Sequence, residues 1–233
     1  MDDSIRIVQL TDPFLLTNTY NQDDDAFVIL DALLKHITQL SKKPDLLIMT
    51  SEIARKRRSE TLHLLQKTNI PFQWVAHEKT ISLNVKGIHF AMLNSYVPSL
   101  TNGLLSDETL TFLENDLEES WAHPCVITLR HHPLAIRTLT APRDLLKNAT
   151  HFLKIIDSYY HVKAVLFGHI AHEFMVERNN IWYLASPSIS PPTPQNQDIT
   201  FQYRVIDLTQ EGEIEASLQK VDVPSSPRIK TPE

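Results

Sequence analysis

Residues 161–173 read His-Val-Lys-Ala-Val-Leu-Phe-Gly-His-Ile-Ala-His-Glu. Ala164–Phe167 is an unbroken apolar run, the pattern of a strand covered on both faces, because a strand with one wet face alternates. The run stops at Gly168, and imidazoles and a carboxylate follow at once. In sheets covered by helices, chemistry collects just past the C-terminal ends of strands. This one segment therefore predicts a buried strand and a place to look for a site.

Outward from it the chain repeats the arrangement. Short runs rich in Val, Ile, Leu and aromatics predict strands at Ile5–Leu10, Asp45–Met49, Phe72–Val75, Ile88–Leu93, Cys125–Leu129, Ile181–Ala185 and Tyr203–Leu208. Between them, 3.6-residue periodicity predicts helices over Asp25–Leu40, Ser59–Lys67, Ser106–Glu119 and Leu145–Ser158. The first carries Phe27, Leu30, Leu33, Leu34 and Ile37 on one face. Asp23-Asp24-Asp25 reads as negative charge capping that helix rather than as a calcium loop, whose oxygens are spaced differently. Ser106 reads as an N-cap, with Asp107 and Glu108 in the first turn. Strands alternating with helices imply a covered sheet, and the strand-rich final third adds a second one. The expected fold class is thus α/β, a two-sheet β-sandwich flanked by helices. One domain is expected over 1–222 and a disordered tail over 223–233; Pro191-Pro192-Thr193-Pro194 reads as a loop.

Composition excludes several classes of function. A formal charge of −6 argues against a nucleic-acid backbone as partner. No apolar run approaches the ~20 residues that cross a bilayer, so no membrane role is expected. The start, Met1-Asp2-Asp3-Ser4, lacks the order of a signal peptide. The single cysteine, Cys125, excludes an internal disulfide and fits a reducing compartment, so the expected location is cytoplasmic. Arg55-Lys56-Arg57-Arg58 reads as a solvated helix start, the other reading being recognition of a phosphate or an acidic partner. Glycine is scarce: Gly87, Gly103, Gly168 and Gly212 are all there are. A phosphate-handling fold with so few has found other loop solutions or given up some loops.

Each strand end carries polar groups. Thr11-Asp12-Pro13-Phe14 follows the first strand, Thr50-Ser51-Glu52 the second and Ala76-His77-Glu78-Lys79 the third. Asn94-Ser95, Arg130-His131-His132-Pro133 and Gly168–Glu173 follow the next ones. Imidazoles and carboxylates gathered in this way suit zinc, iron or manganese.

In this order the chain resembles the calcineurin-like metallophosphoesterases, whose signature runs Asp-x-His, Gly-Asp, Gly-Asn-His-(Asp/Glu), a separate His, then Gly-His-x-His. Within them it is most similar to the class III cyclic-AMP phosphodiesterases. Supporting stretches are residues 5–12, His-His-Pro-Leu at 131–134, residues 161–170, Ala-Ser-Pro-Ser at 185–188 and Tyr-Arg-Val-Ile-Asp-Leu at 203–208. The match runs from about residue 5 to 210, and it implies a four-layer α/β/β/α sandwich. It also implies two metals that share a bridging aspartate and activate a hydroxide, with a histidine protonating the leaving alkoxide.

Carried over residue by residue, the family site is incomplete. Asp12 keeps the first aspartate, but Phe14 stands where its paired histidine would be, and a phenyl ring has no lone pair for a metal. Glu52 stands for the bridging aspartate and Ser51 for its glycine. With Trp74 as anchor, Glu78 falls on the ligand asparagine and Lys79 on the catalytic histidine; a one-residue slip puts His77 on that histidine and leaves no asparagine. Both alignments stay open. His131 matches the lone histidine and His169 the first of the last pair, while Ala171 replaces the second.

The resemblance thus implies metal ligands Asp12, Glu52, Glu78, His131 and His169, with His77 as catalytic acid. One divalent transition metal (Mn, Fe or Zn) is expected rather than a two-metal centre. The leading expectation is a weakly active or inactive phosphodiesterase relative retained to bind a nucleotide, a phosphorylated small molecule or a protein partner. The alternative is a working single-metal phosphodiesterase.

Overall fold

Alternate residues of the first strand, β1 (Ile5–Leu10), serve two different cores. Ile5 and Ile7 pack with Phe90, Val126, Leu166 and Leu184 between two sheets, whereas Val8 and Leu10 face Leu30, Leu33 and Ile37 of a helix. The same alternation runs through β2 (Leu46–Met49), which has no wet face and reads as a continuous apolar run, whereas β1 interrupts its apolar residues with Arg6 and Gln9.

The structure, a computed structural model, describes residues 4–12, 20–50, 58–75, 79–98, 100, 102–135, 145–170, 172–189 and 199–223. After β1 come α1 (Tyr20–Thr38), β2, α2 (Arg58–Lys67), β3 (Phe72–Trp74), β4 (Ile81–Val85), β5 (Ile88–Met92), α3 (Asp107–Glu119) and β6 (Cys125–Leu129). Then follow α4 (Ala149–Ile156), β7 (Val162–Phe167), β8 (Phe174–Arg178), β9 (Ile181–Ala185), β10 (Ile199–Leu208) and β11 (Ile214–Val223). One sheet has the order β11-β10-β1-β2-β3 and the other β4-β5-β6-β7-β9-β8. Strands β1, β2 and β3 run parallel, as do β5, β6, β7 and β9; β4, β8, β10 and β11 join antiparallel. A second core lies under α1 and α2, and a third packs Leu110, Leu113, Phe152 and Ile156 of α3 and α4 against β6 and β7. The expected two-sheet sandwich flanked by helices is the fold observed.

Three strands were not legible as buried runs: β4, β8 and β11. They are edge strands, or pair at an edge, and carry polar residues on an exposed face, as in Ser82, Asn84, Glu177 and Lys220. Their hairpin turns did leave a signal. Lys86-Gly87 and Asn179-Asn180 all have positive φ, the requirement of two-residue turns that match strand twist.

Two helices differ from expectation. Helix α1 begins at Tyr20, so Asp23-Asp24-Asp25 lies inside it rather than ahead of it. Helix α4 starts at Ala149, not Leu145, because Leu145 and Leu146 are held in bridges to His132 and Gly103. Ser106 does cap α3, accepting the Thr109 N–H at 3.1 Å. Strand β11 runs through Val223, which is buried; residues 224–233 and 191–194 lie outside the described residues. Among the described residues no helix is long and apolar enough to cross a membrane.

Polar clips join the two sheets. Arg204 on β10 is 2% exposed and donates to Ala185 O at 3.0 and 3.2 Å and to Phe174 O at 3.4 Å. Gln9 on β1 donates to Phe167 O at 2.9 Å and to Thr50 Oγ1 at 3.3 Å. Gln9 fixes the ends of β1, β2 and β7 relative to one another, where the site lies.

Candidate functional site

The strand ends meet closely. The Thr50 N–H donates to Leu10 O at 3.0 Å, and the Gly168 N–H to Arg130 O at 3.1 Å. A Cβ at Gly168 would collide with Thr11 Oγ1 and with the backbone carbonyl of Thr50. That contact is why a glycine ends β7: two strands of one sheet abut one of the other there. Gly168→Ala is expected to lower stability by about 1–3 kcal/mol through overpacking against backbone. A chemical-denaturation midpoint equal to that of the parent would show the ends to be looser than this.

Asp12 sits just past β1 in the left-handed region (φ 48) and is buried, with its carbonyl accepting from Ser188 Oγ at 3.5 Å. His169 is left-handed too (φ 63). Non-glycine residues take that conformation at a cost, and it is concentrated at functional sites.

His131 follows β6 and is 3% exposed. Its Nδ1 lies 2.8 Å from Ser95 Oγ, and Ser95, after β5, is itself buried. The backbone of Gly103 lies flat against the ring, where any Cβ would overlap it. So two of the four glycines serve the close packing of this region. Burial, then the neighbouring Arg130 and His169, pull the His131 pKa down to about 3, so the ring is neutral at physiological pH. Ser95 engages Nδ1, which leaves Nε2 as the nitrogen for a ligand.

The His131 and His169 rings stand edge to face with centroids 5.4 Å apart. Arg130 Nη2 lies 3.4 Å from His169 Nδ1, and the same guanidinium stands over the Tyr96 ring at 5.8 Å. The adjacent His132 has another role. It is fully buried, packs on Phe167 and Phe174, and accepts the Leu134 N–H at Nδ1 (2.9 Å). Burial lowers its pKa to about 4.

Of the expected site residues, Asp12, His131 and His169 are in the described structure; Glu52, His77 and Glu78 lie outside the described residues, as do Phe14, Ser51 and Ala171. His172 is exposed. Rings binding one tetrahedral metal at about 2.1 Å would have centroids about 5 Å apart, close to the spacing here, which is equally that of an ordinary edge-to-face ring pair. Among the described residues, however, no three His, Cys, Asp or Glu side chains are placed to hold a metal. The described donor set alone therefore does not fit a metal centre, and no chemical step is derived through one. Arg130 and Ser95 were visible in the strand-end segments but carried no role there. Only the fold brings Ser95 to a residue 36 positions away in sequence.

The sequence is 29% identical, over 97% of this chain and 96% of the relative, to a 3′,5′-cyclic-nucleotide phosphodiesterase of Nostoc sp.. It is 22% identical, over 95% and 92%, to a 3′,5′-cyclic adenosine monophosphate phosphodiesterase of Pseudomonas aeruginosa. The fold matches a dimetal phosphatase from Danio rerio with a TM-score of 0.69 at 10% identity, over 95% of this chain and 99% of that one. It also matches PhoD with a TM-score of 0.56 at 11% identity, over 97% and 73%. No family model matches the chain. The resemblance to calcineurin-like metallophosphoesterases, close to the class III cyclic-nucleotide phosphodiesterases, holds.

Proposed function

We propose that this chain is a phosphodiesterase-like protein that binds a nucleotide or related phosphorylated ligand over its strand ends, with little or no turnover. Arg130 carries the reading. Its guanidinium sits against His169 and helps hold His131 neutral. A fixed cation there opposes a metal ion, yet it supplies the positive charge and forked donors that suit a phosphate. The sequence adds Phe14 and Ala171 at positions where the resembled family places imidazoles. On this reading residues 1–222 act as one domain in the cytoplasm, and at most one Mn, Fe or Zn ion is held.

Metal content tests it. Protein purified without chelator should carry at most about one equivalent of transition metal, with Glu52, Glu78, His131 and His169 as ligands if one is held. It should also bind cyclic AMP or AMP after the metal is stripped. Two tightly held equivalents with brisk turnover would end the proposal.

One observation favours a second reading, a working single-metal phosphodiesterase with His77 as general acid. It is the His131–His169 ring spacing, close to that of two rings on one ion. Manganese-dependent hydrolysis of bis(p-nitrophenyl) phosphate, abolished by His131→Ala, would establish it in place of the first.

A further inference from the structure

The buried guanidinium of Arg204, which clips the two sheets together, is well satisfied on one side only. Nε and Nη2 donate to Ala185 O, and Nη2 also reaches Phe174 O. Among the described residues, the acceptor that Nη1 meets is a thioether, Met175 Sδ at 3.9 Å. The Glu173 carboxylate is largely exposed and comes only within 3.9 Å of Nη2. A thioether is a weak acceptor, and a buried charged donor without a good acceptor is costly.

The fold also decides which sulfur meets solvent. Met175 lies on β8 opposite Leu184 of β9, so it shares the face of Leu184 that looks into the layer between the sheets. Strand β8 is an edge, that layer ends there, and Met175 is 42% exposed. The other described sulfurs are shut away. Met49 and Met92 are buried. Cys125 is buried too, and burial, then the neighbouring Asp116, pushes its thiol pKa far up, which withholds the reactive thiolate. One sulfur is thus open to a small oxidant and rests against a buried guanidinium.

We infer that Met175 is an oxidation site for hydrogen peroxide, and that its sulfoxide oxygen takes over the hydrogen bond that Arg204 Nη1 now gives to sulfur. The sulfur lone pair attacks one peroxide oxygen and the O–O bond breaks. The departing hydroxide takes the proton left on the transferred oxygen, so sulfur is oxidised to the sulfoxide and peroxide is reduced to water. The new atom fits the existing gap. With an S=O bond of about 1.5 Å, an N–H···O distance of about 2.9 Å and an angle of about 120° at oxygen, sulfur and nitrogen stand about 3.9 Å apart, the separation found. In an apolar core a sulfoxide disrupts packing; here it supplies the acceptor that Arg204 lacks, and the clip on Phe174 and Ala185 tightens. Methionine sulfoxide is reduced enzymatically, so the change is reversible.

The test treats the full chain, held in chelator, with hydrogen peroxide and maps the products by peptide mass spectrometry. Met175 should oxidise about tenfold or more faster than the buried Met49 and Met92. The chain oxidised at Met175 should unfold at a higher urea concentration than the reduced chain, and the nitrogen NMR signals of the Arg204 guanidinium should shift. Met175→Gln sets an amide oxygen where the sulfoxide oxygen would lie and should raise the urea midpoint without oxidant. Met175→Leu, similar in size but with no acceptor, should not raise it and should abolish its response to peroxide. Oxidation of Met175 no faster than of Met49 and Met92 would overturn the inference. So would an unchanged or lower midpoint on oxidation, or a Met175→Gln chain less stable than Met175→Leu.

Discussion

Lowering the pH from 7 toward 5 should destabilise the metal-stripped protein steeply, before its carboxylates begin to titrate. His131 and His132 are buried and neutral in the folded chain, with pKa values drawn down to about 3 and about 4 from an ordinary 6.5. Above pH 6.5 both rings are neutral in the folded and unfolded states alike, so neither imposes a pH dependence. As pH falls below 6.5 the unfolded chain takes up protons that the folded chain refuses, and stability drops by about 1.4 kcal/mol per pH unit for each ring. The loss continues until the folded pKa is reached, near 4 for His132 and near 3 for His131. Together the rings remove several kcal/mol, a large part of the roughly 5–15 kcal/mol that holds a typical domain folded. Urea unfolding at pH 7, 6 and 5 in chelator measures the slope. His132→Leu isolates one ring, since the site between Phe167 and Phe174 accepts an apolar side chain. It should flatten the slope by about one proton; a slope equal to the parent's would mean His132 is protonated in the folded state.

The same burial explains what could be read from the sequence. Strands such as β6 and β7 lie in the middle of a sheet between two cores, so every position favours an apolar residue and the run is visible without a structure. Edge strands answer to a core on one side only. Met175 and Val176 of β8 are exposed, and β4 alternates through Asn84, so neither reads as a core strand. Their positions were nonetheless written in the turns, where Asn179-Asn180 adopts left-handed geometry.

At the site, the division falls between single residues and pairs. His131, His169 and Asp12 could be named because each lies two residues past a strand, where strand ends converge, and matches a position in the signature of the family that the chain resembles. Arg204, Gln9 and Ser95 could not. Each is a polar residue whose purpose is a partner in another element: Ala185 O, Phe167 O and His131 Nδ1 respectively. Nothing local in the chain specifies such a pairing. Gly103 and Gly168 fall between these cases. Their scarcity in the chain was plain, but only the packing shows that a Cβ at either would strike the ring of His131 or the end of β2.

Restoring the imidazoles should restore the metal. Phe14→His with Ala171→His is expected to raise manganese or zinc affinity by several decades, read as metal content after dialysis against a competing chelator. Four-ligand zinc sites in small peptides carry apparent free energies of about 10–16 kcal/mol, so two regained ligands account for several kcal/mol at about 1.4 kcal/mol per decade. Either substitution alone should recover less than half, because an ion short of one ligand still exposes that side to water. Arg130 sets the ceiling. Its guanidinium, 3.4 Å from His169 Nδ1, repels any ion on that imidazole, so adding Arg130→Gln to the pair should raise affinity again. A double variant that held no more metal than the parent would place residues 14 and 171 away from His131 and His169, and the family alignment at both positions would be wrong. Gain of metal without gain of phosphodiester hydrolysis would locate the remaining defect in the third motif, where the leaving-group acid is Lys79 or His77. Gain of both would make the two lost imidazoles the whole difference between this chain and an active enzyme.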